Sequence, residues 1–193
     1  VLVEGRNAEI GSVAEALHEY GMGYVSEDRK HEGLILLHSV LDNAGITVWR
    51  KLATALGLLS DTAVVCHVDP ILRKLELKTP SLYQTIGNLS GGNQQKVSVA
   101  KWLAAGVSFL IFDEPSVGID IKTKAYLHDL IHELANQDTA ILLITSDMPE
   151  MIDVADRIVV MDGFQIKGEV ENDRNYERVS REIIGFIHGR EAA

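Results

Sequence analysis

The stretch Leu89-Ser90-Gly91-Gly92-Asn93-Gln94-Gln95, followed a short helix later by Phe109-Leu110-Ile111-Phe112-Asp113-Glu114-Pro115, decides how this chain is read. The first run is a Ser-Gly-Gly turn opening a helix, where unpaired backbone N–H groups and the positive end of the helix dipole offer a site to phosphate oxygens. The second is an apolar strand that ends in two carboxylates. One is suited to hold Mg²⁺ through water and the other to polarise an attacking water. A Ser-Gly-Gly alone is usually a turn, and an Asp-Glu-Pro after a strand is often a solvated strand end. Their order and spacing give the pair its weight.

Working outward, Tyr24-Val25 reads as a short strand after Gly21-Met22-Gly23, and Ser26-Glu27-Asp28-Arg29-Lys30 as a charged loop leaving it. From Gly33 to about Leu77 the pattern turns helical, with Leu52, Leu56 and Leu59, then Ile71, Leu72 and Leu75, at three- and four-residue spacing. Pro80 and Gly87 punctuate the loop that delivers Leu89. After Asn93 a helix carries Val97, Ala100, Leu103 and Ala104 on one face. Strands then alternate with helices: a buried-type strand at 109–112, a helix at about 122–136, a second apolar strand at 140–144 and a short helix at 149–155. A strand at 158–161 meets its return at 165–170 through an Asp162-Gly163 turn, and 176–187 reads as a final amphipathic helix. This alternation predicts a parallel-rich α/β sheet.

With 193 residues and 46% hydrophobic content, the chain can bury one sizeable core with a small subdomain attached. A net charge of −10 argues against nucleic acid or an anionic membrane as the main partner, because both require a basic footprint. A single cysteine, Cys66, excludes an intrachain disulfide framework and a Cys-rich zinc site, which fits a reducing compartment, with the cytosol as default. No apolar run reaches the ~18 residues of a membrane span, and no basic segment with an apolar signal stretch stands at the start. The beginning at Val1 rather than Met, almost at once in strand and helix pattern, is what a piece of a longer protein would show.

These residues resemble the nucleotide-binding domains of ABC transporters, and the resemblance covers nearly the whole chain. Residues 89–95 look like the signature motif in its sugar-importer form, of the ribose, galactose and arabinose type. Phe109 to Glu114 looks like Walker B, Ser116-Val117-Gly118-Ile119-Asp120 like the D-loop, and Gly23-Tyr24-Val25-Ser26-Glu27-Asp28-Arg29-Lys30 like the corresponding loop of the second ATPase domain in tandem sugar-importer subunits. The implied fold is a truncated P-loop NTPase-like ABC ATPase domain, α/β with a parallel-rich sheet. The implied organisation is a partial domain over 1–193, with an inserted helical subdomain at 33–106 carrying the signature and a core part at 107–193 carrying Walker B, D-loop and switch strand. The implied cofactors are ATP and Mg²⁺. By motif position, Ser90, Gly91 and Gly92, with Asn93 and Gln94, would face the γ-phosphate of ATP held by an opposite domain. Asp113 would hold Mg²⁺ through water, Glu114 would act as general base or position the attacking water, and Asp120 would couple two sites.

Three departures from the family pattern stand beside these matches. The chain contains no Gly-Lys dipeptide, so the Gly-rich loop ending in Gly-Lys-Ser/Thr that cradles phosphate is absent. Glu27 stands where the family usually has a Gln that contacts Mg²⁺ and the permease, and it adds negative charge there. Ser146 stands where a switch His is expected, and a hydroxyl cannot replace the imidazolium contact to a γ-phosphate. The resemblance therefore implies one competent and one degenerate ATP site in a head-to-tail pair of domains, coupled to permease-mediated carbohydrate uptake. Its partners would be another nucleotide-binding domain in the same full-length chain, membrane permease subunits and, indirectly, a sugar-binding protein, with no nucleic acid. The location would be cytoplasmic, on the inner face of the membrane.

A non-catalytic module that pairs with and regulates a complete domain is the competing reading, and a soluble ABC ATPase of DNA repair or translation a third. His128 and His132, four apart on a helix, could present both rings to a metal, but an exposed helix surface is the plainer expectation. Cys66 is expected as a small core hydrophobe, Trp49 and Trp102 as packing residues, and the run 27–30, apart from its neighbouring motifs, as solvated charge.

Overall fold

A computed structural model describes residues 2–3 and 5–189. Two short strands, β1 (Leu2–Val3) and β2 (Arg6–Asn7), pair antiparallel and lead into α1 (Val13–His18), which is capped by the Ser12 hydroxyl. The central sheet has three parallel strands in the order β3 (Met22–Val25), β4 (Phe109–Asp113) and β5 (Ala140–Ile144). The register sets Tyr24 beside Ile111 and Ile111 beside Leu142. Side chains alternate across a sheet, so Val25, Leu110 and Phe112 fall on one face and are fully buried. Tyr24, Leu142 and Ile144 fall on the other, and each stays 41–46% exposed. The continuous apolar run at 140–144 is therefore half-open rather than buried on both sides. Among the described residues β5 pairs only with β4.

On the buried face α5 (Gly91–Ala105) meets β3, and α2 (Val40–Gly45), α3 (Trp49–Leu52) and α4 (Asp61–Lys74) extend the same core by packing on α5 and on one another. Ser39 and Asp42 form a reciprocal capping box that starts α2, and Gly106 in the left-handed conformation ends α5. Trp102 of α5 reaches the sheet at Gly23, where a Cβ would stand 3.0 Å from its ring and 2.9 Å from Leu110. This contact is what seats the signature helix on the strands. The helical reading of 33–77 needs revision at 34–39, which is non-helical up to the start of α2, and again at 53–60. Leu56 and Leu59 lie in an exposed loop, because the chain turns at Gly57, with φ +76°, and Thr54 accepts the Gly57 and Leu58 amides. Apolar spacing alone could not register that break.

After β4 come α6 (Ile121–Ala135) and, beyond β5, α7 (Met148–Val154). The hairpin of β6 (Arg157–Asp162) and β7 (Gln165–Glu171) turns on Gly163 and Phe164, both at positive φ, and α8 (Tyr176–Ile187) packs on it. Ile152, Ile158, Val160, Val170, Val179 and Ile183 form a second, smaller core there. Phe186 lies so close over Gly168 that a side chain at that glycine would collide with the ring. Cys66, expected in the core, is exposed on the outer face of α4.

Candidate functional site

Two groups of side chains meet at the ends of these elements. The first stands at the C-terminal ends of the parallel strands, the position at which open α/β sheets bind ligands. Strand β4 delivers Asp113, whose Oδ2 accepts a 2.6 Å hydrogen bond from the Tyr24 hydroxyl on the same sheet face. That bond, with the aspartate charge and partial burial, raises the Tyr24 phenol above its ordinary value, so the proton stays on tyrosine. Glu114 follows at φ +42°, a strained backbone for a residue with a side chain. Its amide is tied to the Ile144 carbonyl at 2.8 Å, and its Oε1 accepts the Ser146 amide at 2.7 Å. The chain thus spends strain to fix one carboxylate oxygen and point the group along the end of β5.

Behind Ser146 lies a polar network. Thr145 donates to Glu150 Oε2 at 2.6 Å, Asp147 caps α7 and pairs with Lys124 of α6 at 2.6 Å, and Glu150, wholly buried, faces His128 Nε2 at 3.0 Å. The Lys124 bond holds the Asp147 carboxyl below its usual range. His128 also meets Asp153 through Nδ1 at 3.0 Å. His128 is therefore a mostly buried bridge between α6 and α7 rather than an exposed surface residue. No group of three or more His, Cys, Asp or Glu side chains suited to a metal occurs among the described residues.

The second group joins the signature turn to the D-loop. Ser90 caps α5, its hydroxyl accepting from Asn93 Nδ2 at 3.0 Å and from the Asn93 amide at 3.4 Å. As first-turn positions, Gly91 and Gly92 have no intrahelical acceptor for their amides. Both glycines are needed for close packing. A Cβ on Gly92 would stand 2.6 Å from Thr123 Oγ1, and one on Gly91 would stand 3.3 Å from the Gly118 carbonyl. Asp120 caps α6, with Oδ1 accepting the Thr123 amide at 3.0 Å and Oδ2 its hydroxyl at 2.8 Å, and these bonds depress its ionisation below the usual carboxylate range. Gln94 turns inward, donating to the carbonyls of Ile86 and Leu89, so its side chain supports the turn from beneath. Glu27 is exposed on the turn that leaves β3.

The chain's fit to nucleotide and metal is partial. Asp113 has one oxygen left for a metal-bound water once Tyr24 has taken the other, and oxygen donors suit Mg²⁺. The glycine turn at the start of a 15-residue helix suits phosphoryl oxygens. The given sequence contains no Gly-Lys dipeptide to add a lysine to this set. Motif reading named Asp113, Glu114, Ser146, Asp120 and the signature turn as candidates, and it gave Tyr24, Thr145, Glu150, His128 and Arg29 none of the contacts described here. Strand alternation carried a signal for Tyr24, since it shares the Asp113 face. Arg29 sits in a run that reads as solvated charge, yet it is buried, with both terminal nitrogens on D-loop carbonyls.

Comparison with known proteins identifies the family and the fold. The family model described as ABC transporter matches residues 3–117. The chain is 37% identical over 187 residues to the ribose import ATP-binding protein RbsA of Clostridium tetani, covering 96% of this chain and 37% of that protein. It is 46% identical over 150 residues to RbsA 2 of Mesorhizobium japonicum (78% and 29%) and 40% identical over 171 residues to the xylose import ATP-binding protein XylG of Geobacillus kaustophilus (89% and 34%). The chain thus spans about a third of the length of these curated relatives. Among solved structures, the dimeric ATP-binding cassette MJ0796 in a post-hydrolysis state with ADP and phosphate superposes with a TM-score of 0.72 at 20% identity, covering 88% of this chain and 72% of that one. With a family model matching more than half its length and an α/β cassette fold carrying the signature turn, the carboxylate pair and the D-loop in place, the chain belongs to the ABC transporter family.

Proposed function

We propose that this chain is the signature- and Walker B-bearing part of the second ATPase domain of a sugar-importer subunit, and that its signature turn serves the ATP site of an opposite domain. The observation that carries this reading is the packing of the signature turn against the D-loop, with Gly91 at the Gly118 carbonyl and Gly92 on Thr123. It makes one continuous surface of two motifs that would both face a partner. Ser90, Gly91 and Gly92 would offer amides and the positive helix end to the γ-phosphate. Bound Mg²⁺ would neutralise phosphoryl charge. Asp113 would hold it through water, and Glu114, fixed by the Ser146 amide, would orient an attacking water at this chain's own, weaker site. Permease subunits and a sugar-binding protein would complete the importer, with the chain on the cytoplasmic membrane face. Among the described residues no helix is long and apolar enough to cross a membrane.

The test compares two substitutions in the intact transporter. Ser90→Arg is expected to reduce ATP-driven sugar uptake by roughly 10²-fold, the scale of losing transition-state donors, while Glu114→Gln leaves most of it. Uptake that survives Ser90→Arg and collapses with Glu114→Gln reverses the assignment. A second reading, a non-catalytic module that regulates a complete domain, is favoured by Glu27, Ser146 and the absent Gly-Lys. It would be supported if both substitutions left ATP turnover of the complete domain intact and changed only its regulation.

A further inference from the structure

Arg29 lies where three motifs meet and belongs by sequence to none of their recognised chemistries. It opens the single helical turn Arg29–Gly33, two residues after Glu27, capped by the Asp28 carboxylate on the His31 amide at 3.1 Å. Its side chain runs inward. Nη1 donates to the Val117 carbonyl at 2.9 Å and Nη2 to the Gly118 carbonyl at 3.1 Å, so the flat fork spans two successive carbonyls of the D-loop. The same Nη2 lies against the signature turn: a Cβ on Gly91 would stand 3.0 Å from it, and one on Gly118, at φ +69°, 3.4 Å. The residue is only 9% exposed, and Nε is buried without an acceptor. Among the described residues no carboxylate stands within ion-pair distance of it.

We propose that Arg29 is a positioning residue: its fork latches the D-loop to the turn that carries Glu27, and its uncompensated charge prepares the signature turn for an anion brought by an opposite domain. The latch stands on geometry alone, whereas the charge role rests on the function proposed above. Two carbonyl dipoles do not neutralise a guanidinium. The positive end of α5 lies beside it, so two like fields are held together without a counter-charge. Burial also drives the guanidinium below its ordinary ionisation value, the mark of a cation held at a cost. A phosphoryl group at Gly91 and Gly92 would relieve that cost. Because the fork and Glu27 share one turn, a displacement of the Glu27 turn would be carried to the D-loop through Arg29.

Arg29→Lys and Arg29→Gln separate the two roles, since lysine keeps the charge but is a point donor that cannot span both carbonyls. Hydrogen–deuterium exchange on this chain should show peptide 115–121 exchanging about tenfold faster in both variants, with peptides from β6, β7 and α8 unchanged. Unchanged exchange at 115–121, or acceleration spread over every peptide, would overturn the latch. Binding is then measured to the P-loop-bearing cassette of the same transporter loaded with ATP and Mg²⁺. Arg29→Lys should stay within about threefold of wild type and Arg29→Gln should lose tenfold or more. Equal binding by Arg29→Gln would overturn the charge role. If the wild-type chain does not bind the loaded cassette, the proposed function and the charge role fall together, while exchange still decides the latch.

Discussion

Glu114 stands at φ +42°, where a side chain costs about 1–2 kcal/mol relative to glycine. The cost is borne because that backbone lets the amide reach Ile144 and the carboxylate reach the Ser146 amide from the end of a strand. Strain and a fixed carboxylate therefore sit on one residue. Glu114→Gly should unfold at a higher urea concentration than Glu114→Ala, by about 1 kcal/mol, because both lose the carboxylate and only glycine relieves the backbone. Equal stability of the two variants in chemical denaturation would mean the turn carries no strain. The identity of Glu114 was legible from the Asp-Glu-Pro run. Its conformation was not, because the left-handed turn is dictated by the Ile144 carbonyl on a neighbouring strand.

Between elements, the decisive contacts are polar and buried. Helices α6 and α7 are joined by His128 between Glu150 and Asp153, and both ring nitrogens face carboxylates. His128→Leu leaves Glu150 buried with Thr145 as its remaining side-chain partner, and it should cost about 3 kcal/mol in denaturant unfolding. Pairing it with Glu150→Met should recover much of that loss, because an apolar group then replaces the buried carboxyl that has lost its imidazole partner. If the double variant is as unstable as the single one, the network is not what joins the helices. The sequence showed His128 only as a histidine on a helix, since its partners come from another helix folded against it. The caps are local by contrast: Ser39, Ser90, Asp120, Asp147 and Asn175 each start a helix through a bond to an amide three residues on.

Over the whole molecule, a large core under the helices and a small one under α8 leave the outer face of the β3–β5 sheet open, with Tyr24, Leu142 and Ile144 partly exposed. Stability should depend on pH through Lys101, which donates to the Gly33 carbonyl at 2.7 Å beside the Trp102 ring. Burial lowers its ammonium to about 8 in the folded chain, against about 10.4 when unfolded. Between those values the unfolded chain binds a proton that the folded chain does not, so stability rises with pH from about 8. Below about 8 both states hold the proton and stability is level with respect to this group. Burial raises Tyr126 to about 12, so above about 10 the folded chain keeps a proton that the unfolded chain loses, and the gain reverses. Urea unfolding at about pH 7 and pH 9.5 should show the rise in wild type and a flatter profile in Lys101→Met. An equal rise in that variant would assign the effect to another group.

What the sequence determined by itself is local: the alternation of apolar strands and helices, and the order of signature, carboxylate pair and D-loop. Each depends on periodicity or on residues a few positions apart. What only the tertiary structure decided is which distant groups touch. Tyr24 reaches Asp113 and Arg29 reaches Val117 and Gly118 because parallel pairing sets β3 against β4, 89 and 88 residues apart along the chain in the first and second of those bonds. A charged run such as 27–30 looks solvated to any local pattern, and burial of one member is decided by whether the folded chain offers carbonyls to receive it.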